Sequence, residues 1–149
     1  MRLALHQPDI AGNVGTILRL GACLDLPVDV IEPCGFALAD RALARAGMDY
    51  AARAALVRHA DWDAFAAALP GRLILFTTAG AIPLPEARFA PEDTLIFGSE
   101  SAGAPAAVHQ AAAARVRIPM RAGERSLNLA VSVAIAAGEA LRQTKGWPA

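Results

Sequence analysis

Three stretches set chemically competent side chains beside glycine or other small residues. HQPDIAGNVGTILRLG (6–21) offers Asn13 and Arg19, FGSESAGAP (97–105) offers Ser99 and Glu100, and IPMRAGERSLN (118–128) offers Arg121, Ser126 and Asn128. Each follows an apolar run that reads as a strand, and open α/β sheets bind ligands beyond the carboxyl ends of their strands. The third stretch is the least ordinary. Ser126 and Asn128 stand directly behind Glu124 and Arg125, where a nearly unbroken apolar run from Leu127 to Ala137 begins. Ser126 suits the cap of the helix that this run implies. A polar Asn128 inside the run then needs a partner across the site.

Several familiar chemistries do not fit. No Gly-Lys-Ser/Thr follows either glycine cluster, so a P-loop is excluded. GSESAG places Ser101 wrongly for the Gly-x-Ser-x-Gly turn of serine hydrolases. His6, His59 and His109 are scattered, and Cys23 and Cys34 have no ligand spacing, so no metal site is expected. A dinucleotide site stays open: Gly12 and Gly15 give Gly-x-x-Gly after the first strand and Glu32 ends the second, an incomplete match to the Rossmann fingerprint.

Positioning these residues falls to a chain of 149 residues with 55% apolar content, enough for one domain (1–149) with a substantial core. Aromatics make up only 5%, and alanine is abundant, so the core is built from small and aliphatic side chains. Basic and acidic residues balance at 14 each, which excludes a global basic field and leaves nucleic-acid binding to local patches. No apolar run suits a signal peptide or a membrane span, and the expected location is the cytoplasm.

Runs at 2–6, 28–32, 72–78, 94–98 and 115–119 read as strands, with a further short one at 55–59. Helical patterns fall at 14–25, 40–46, 61–69, 105–114 and 126–144, with Asp40 and Asp61 suited to N-caps and Gly47 to a helix end. The alternation predicts an α/β fold with a mainly parallel sheet covered on both faces. Residues 79–93, with three prolines, read as a long loop. The last helix is apolar nearly all round, through Leu127, Ala130, Val131, Ala134, Ile135 and Leu141, which predicts a homodimer interface.

Taken together, NVGTILR (13–19), FGSESAG (97–103) and IPMRAGERSLNLAVSVAIA (118–136) resemble the three motifs of the SPOUT-class RNA 2′-O-methyltransferases. With IEPCGFALADRALARAGMDY (31–50), the resemblance narrows to the tRNA (cytidine/uridine-34)-2′-O-methyltransferases and spans essentially the whole chain. It implies a single domain with a C-terminal trefoil knot, a feature that ordinary chain topology argues against. It also implies a homodimer acting on the tRNA anticodon stem-loop, or, failing that, on another tRNA or rRNA position.

The resemblance further implies S-adenosylmethionine as methyl donor, held in the knot loops by Phe76, Thr77, Thr78, Gly98, Ser99, Ile118, Met120, Ser126 and Leu127. Gly98 would let the cofactor approach the backbone closely, and Ser99 stands where this branch often has proline. Arg19 matches the catalytic arginine, with Asn13 and Glu100 holding it in register and Ser126 and Asn128 as the polar pair of the third motif. A guanidinium is almost never deprotonated, so stabilising the developing alkoxide suits it better than acting as a base. Arg41, Arg45 and Arg121 are expected to contact tRNA phosphates and Tyr50 to stack on an anticodon base. Neither a metal nor a membrane is implied.

Overall fold

The computed structural model describes residues 1–38, 50 and 53–149. Seven parallel strands form one sheet: β1 (Arg2–His6), β2 (Val28–Ile31), β3 (Leu56–His59), β4 (Leu73–Phe76), β5 (Ile82–Pro83), β6 (Thr94–Phe97) and β7 (Ala114–Arg117). Their order across the sheet is β3-β2-β1-β6-β4-β7-β5. The five confident strand runs and the tentative one at 55–59 all form strands, each within a few residues of its expected bounds. The exception is the proline-rich loop 79–93. It contains β5, which pairs with β7 at the sheet edge, and a 3-10 turn over Leu84–Glu86. Pro83 is tolerated there because an edge strand leaves one side of the backbone without a ladder partner.

Among the described residues four α-helices cover the sheet: α1 (Ala11–Leu24), α2 (Trp62–Ala68), α3 (Ala106–Ala111) and α4 (Leu129–Thr144). Strand alternation divides the core. On one face Leu3, Leu5, Val28, Val30, Ile74 and Leu95 meet α1 and α4; on the other Ala4, Ile31, Leu73, Leu75 and Ile96 meet Phe65 of α2 and Val108 of α3. The helix pattern expected at 40–46, with Asp40 and Gly47, lies outside the described residues. Asp61 caps α2 as expected, its side chain accepting from Ala64 N at 2.8 Å.

α4 lies against α1 and β6. Its inner face is built from Val133, Ala136, Ala137 and Ala140, all fully buried, and these small side chains let the helices approach closely. The outer face is the surprise for an apolar helix: Leu127 just ahead of it, Val131 and Ile135 form a stripe four residues apart and are 39%, 47% and 40% exposed. The helix is therefore two-faced, not buried all round.

The face away from α4 holds one buried ion cluster. Asp29 accepts from Arg2 Nε at 2.8 Å and Nη2 at 3.0 Å, and pairs with His59 Nε2 at 2.8 Å. Among the described residues no helix is long and apolar enough to cross a membrane.

Candidate active site

β4, β6 and β7 end side by side, and the segments leaving them enclose a cavity of about 580 Å³. That lies within the size range of small-molecule and cofactor sites. Phe76 and Phe97, the last residues of β4 and β6, stack in it with centroids 5.0 Å apart and planes 16° apart. Phe89 continues the stack behind Phe76 at 6.2 Å. Thr77, Thr78, Gly98, Ser99, Ile118, Met120, Ser126 and Leu127 line the walls, so all nine residues expected at a cofactor site share one cavity. Asn13, Glu100 and Asn128 line it too.

Sequence reasoning missed Ile10, Phe97, Ala102, Gly103, Ala104, Leu129 and Ser132, which also line the cavity. Two were within reach. Phe97 is to β6 what Phe76 is to β4, and Ser132 lies one helical turn beyond Asn128 on the same face.

A hydrogen-bond relay ties the three polar segments together, and its polarity is forced from one end. Asn128 is the N-cap of α4: its Oδ1 accepts from Ala130 N at 2.9 Å and Val131 N at 3.3 Å. Ser126, expected to be the cap, lies two residues ahead of it and makes no capping bond. With Oδ1 committed to the helix, Asn128 Nδ2 donates to Asn13 Oδ1 at 3.0 Å. Asn13 Nδ2 must then donate onward, to Glu100 Oε1 at 2.8 Å, while Glu100 Oε2 accepts from Asp9 N at 2.7 Å. Asp9 closes the arrangement, its Oδ2 accepting from Ser101 N at 2.9 Å and Ser101 Oγ at 2.7 Å. The Ser101 hydroxyl and backbone N–H hold the Asp9 carboxyl below its usual value. Polar Asn128 thus has its partner across the site, and it caps the helix as well.

The chain's own packing also requires Gly98. A Cβ there would lie 2.2 Å from the carbonyl carbon of Gly103 and 2.3 Å from Ala104 N. The chain itself occupies the space, because residues 99–103 fold back and Ser99 and Gly103 exchange backbone hydrogen bonds of 3.1 and 2.9 Å. Ser99 Oγ accepts from Ala102 N at 3.1 Å within this turn, a bond the proline common in the resembling branch could not make. Gly103, at φ +69, supplies the left-handed turn.

Other expected residues are not at the cavity. Arg19 lies on the exposed stripe of α1 with Gly12, Thr16 and Cys23, about 9 Å along the helix axis from Asn13. It is not hydrogen-bonded to Asn13 or Glu100; instead its guanidinium sits over the Tyr50 ring, 5.4 Å from the centroid. Arg121 is exposed on the segment after β7. Arg41 and Arg45 lie outside the described residues. The geometry does not favour the dinucleotide reading. Gly12 and Gly15 are inside α1 and not in a loop before it, and Glu32 accepts from Arg58 Nε at 2.8 Å. Among the described residues no group of three or more His, Cys, Asp or Glu side chains could hold a metal ion.

Comparison with known proteins decides the family. Residues 1–138 match the model of the SpoU rRNA Methylase family. The chain belongs to this family. A tRNA (cytidine(34)-2'-O)-methyltransferase of Beijerinckia indica is 51% identical over 144 residues, 95% of this chain and 90% of the relative. A structure solved for insight into the 2-OH methylation of C/U34 on tRNA superposes with a TM-score of 0.91 at 44% identity, covering 97% of this chain and 96% of that one. An AdoMet-bound rRNA methyltransferase from Sinorhizobium meliloti superposes at 0.83 with 25% identity, covering 95% of this chain and 55% of that one. The SpoU family chain described here has the α/β-knot fold expected from its motifs. Its C-terminal segment returns from β7, past the ends of β4 and β6, to dock α4 on α1.

Proposed function

We propose that this protein transfers a methyl group from S-adenosylmethionine to the ribose 2′-hydroxyl of nucleotide 34, the wobble nucleotide of tRNA, working in the cytoplasm as a homodimer on the anticodon stem-loop. The observation that carries this reading is the convergence of three polar segments on one cavity through the Asn128–Asn13–Glu100 relay. Relatives named for this reaction cover nearly the whole chain.

The cavity suits the donor. The stacked Phe76–Phe97 pair, with Ile118, Met120 and Leu127, offers apolar surface to a flat base, while Thr77, Ser99 and Ser126 offer polar groups to the other end. Bound there, the donor supplies an electrophilic methyl group on a sulfonium. The relay keeps the loops after β6 and β7 at fixed spacing, so the attacking oxygen meets a preset geometry. Arg19, on the exposed stripe of α1, stabilises the oxyanion that forms as the ribose proton passes to solvent, and grips an adjacent phosphate. Arg121, with Arg41 and Arg45, supplies phosphate contacts.

The reading is tested with a labelled methyl donor and synthetic anticodon stem-loops carrying either ribose or 2′-deoxyribose at position 34. Transfer to the first and none to the second is expected. Equal transfer to both, or transfer only to an rRNA fragment, would move the target elsewhere.

The stripe of Leu127, Val131 and Ile135, with Ile10 beside the cavity at 51% exposure, supports the homodimer. Ile135→Glu should yield a folded monomer in sedimentation. Val133→Glu should instead fail to fold, because Val133 is fully buried in the protomer. An Ile135→Glu protein that stays dimeric would place the interface on another face.

A further inference from the structure

Tyr50 carries more than one guanidinium. Arg19 of α1 lies 5.4 Å from its ring centroid, and Arg53, three residues along the chain, lies 5.9 Å from the same centroid. Both distances fall within the range of attraction between a cation and an aromatic face. Arg19 and Arg53 are exposed, Tyr50 is half-buried, and neither arginine pairs with a carboxylate among the described residues. None of the three lines the cavity.

Two permanent cations held at one ring repel each other. In exposed surroundings that repulsion is weak, and each guanidinium's attraction to the ring offsets it. The net result is two positive charges on one uncharged platform, with their N–H donors free to point outward. A group that accepts from both, carries negative charge and presents oxygens to a planar fork completes such an arrangement, and a phosphodiester does all three. A base stacked on Tyr50, by contrast, would have to displace at least one guanidinium.

We propose that Tyr50 is a positioning residue that holds Arg19 and Arg53 as a paired guanidinium site for one phosphodiester of the RNA strand entering the active site. The inference rests on the proposed function for the identity of the RNA and for the part played by Arg19. Arg53 is then a backbone ligand, and Tyr50 acts on the reaction only through Arg19.

The test uses Tyr50→Phe, Tyr50→Leu, Arg53→Ala, Arg19→Ala and the Tyr50→Leu/Arg19→Ala double variant of the full-length protein. S-adenosylhomocysteine binding serves as a folding control, because all three residues lie outside the cavity. Two readouts follow: single-turnover methylation of C34 stem-loop at saturating RNA, and the salt dependence of binding to a single-stranded RNA oligonucleotide. Arg53→Ala should flatten the log–log salt dependence by about 0.7, the share of one contact to single-stranded phosphate. Tyr50→Leu should lower the single-turnover rate about fivefold, matching the upper range of a cation–ring contact at an exposed site. It should add no further loss when Arg19 is already alanine. Tyr50→Phe keeps the ring and should behave as wild type in both assays.

An unchanged salt slope in Arg53→Ala would overturn the inference, as would losses from Tyr50→Leu and Arg19→Ala that simply multiply. Weaker binding by Tyr50→Leu with an unaltered slope would make Tyr50 a base-stacking platform instead. If wild-type protein binds RNA but leaves the C34 stem-loop unmethylated, the proposed function fails. The salt-slope arm would still judge the paired site.

Discussion

The cavity and the surface around Tyr50 are held together in different ways. In the cavity each polar side chain of the relay is fixed by another. Asn128 is pinned by the helix it caps, Asn13 by Asn128, and Glu100 by Asn13 and the Asp9 backbone. Around Tyr50 two guanidinium groups lie 5.4 and 5.9 Å from the ring centroid, without directional bonds to it. Hydrogen bonds set distance and orientation together; a cation on a quadrupole keeps its distance while the fork remains free to turn. The first arrangement suits a small donor whose reactive atom must be placed within a fraction of an ångström. The second suits a polymer whose phosphates differ from one bound molecule to the next. A site joining the two needs rigidity on one side only.

The largest effect should come from breaking the rigid side. Gly98→Val puts a branched side chain where the Gly103–Ala104 backbone already lies. The fold-back at 99–103 cannot then close. Calorimetry should show no measurable S-adenosylhomocysteine binding, and denaturant melts a loss of about 3 kcal/mol, at the upper end for overpacking because backbone cannot yield as a side chain can. Retained binding would mean that the fold-back is not part of the donor site.

Arg19→Ala attacks the adjustable side and should separate from it cleanly. Donor affinity should be unchanged, while single-turnover methylation falls about a hundredfold, the scale of losing one oxyanion donor. Arg19→Lys should rescue poorly, since a point charge does not replace a planar fork. Arg121→Ala should leave the saturated rate intact. A near-wild-type rate for Arg19→Ala would reduce Arg19 to one more phosphate contact.

Asn128→Ala removes the cap of α4 and the head of the relay together. A stability loss of about 2 kcal/mol is expected, from roughly 1 for the cap and 1 for the bond to Asn13. Asn128→Ser should recover the cap but not the relay. An Asn128→Ser protein as stable as the wild type would show that the relay contributes nothing beyond capping.

The smallest effect concerns acidity. The folded value of Asp9 is held below 3.8 by Ser101, so its contribution is complete above that value and is lost as pH falls through the lower, folded one. Between pH 5 and pH 3 the wild type should lose thermal stability faster than Asp9→Asn, which has no carboxylate to protonate. Parallel curves would remove Asp9 from the acid response.

How much of this could be read beforehand differs between the same two regions. Strand ends, glycines and a polar pair at a helix entrance are local signals that mark the three segments, and the nine residues that the family resemblance names in the knot loops line one cavity. What was misread was the division of labour within it. Ser126 carries the better cap signature, but α4 begins at Leu129, so Asn128 takes the cap and its side chain is held in place for Asn13. Periodicity marks a helix; it does not fix its first residue. The sequence also hides the second demand on Gly98, that residues five positions later return to the same spot. The Tyr50 surface was least legible: Arg19 was expected beside Asn13 and Glu100, and nothing local indicates that its neighbour is a ring 31 residues away. In the sheet, β5 was hidden by the prolines around it.

α4 follows every strand of the sheet in the sequence, and it brings both the head of the relay and the cover for Val14, Ile17 and Leu18 of α1. Synthesis runs from the N-terminus, so every strand exists before the cavity has its far wall. A nascent chain stopped anywhere before residue 128 has Arg19 of α1 but no Asn128 to hold Asn13. Such a fragment leaves Val14, Ile17 and Leu18 without the cover that α4 provides, so premature release is expected to expose apolar surface to proteases before the relay exists.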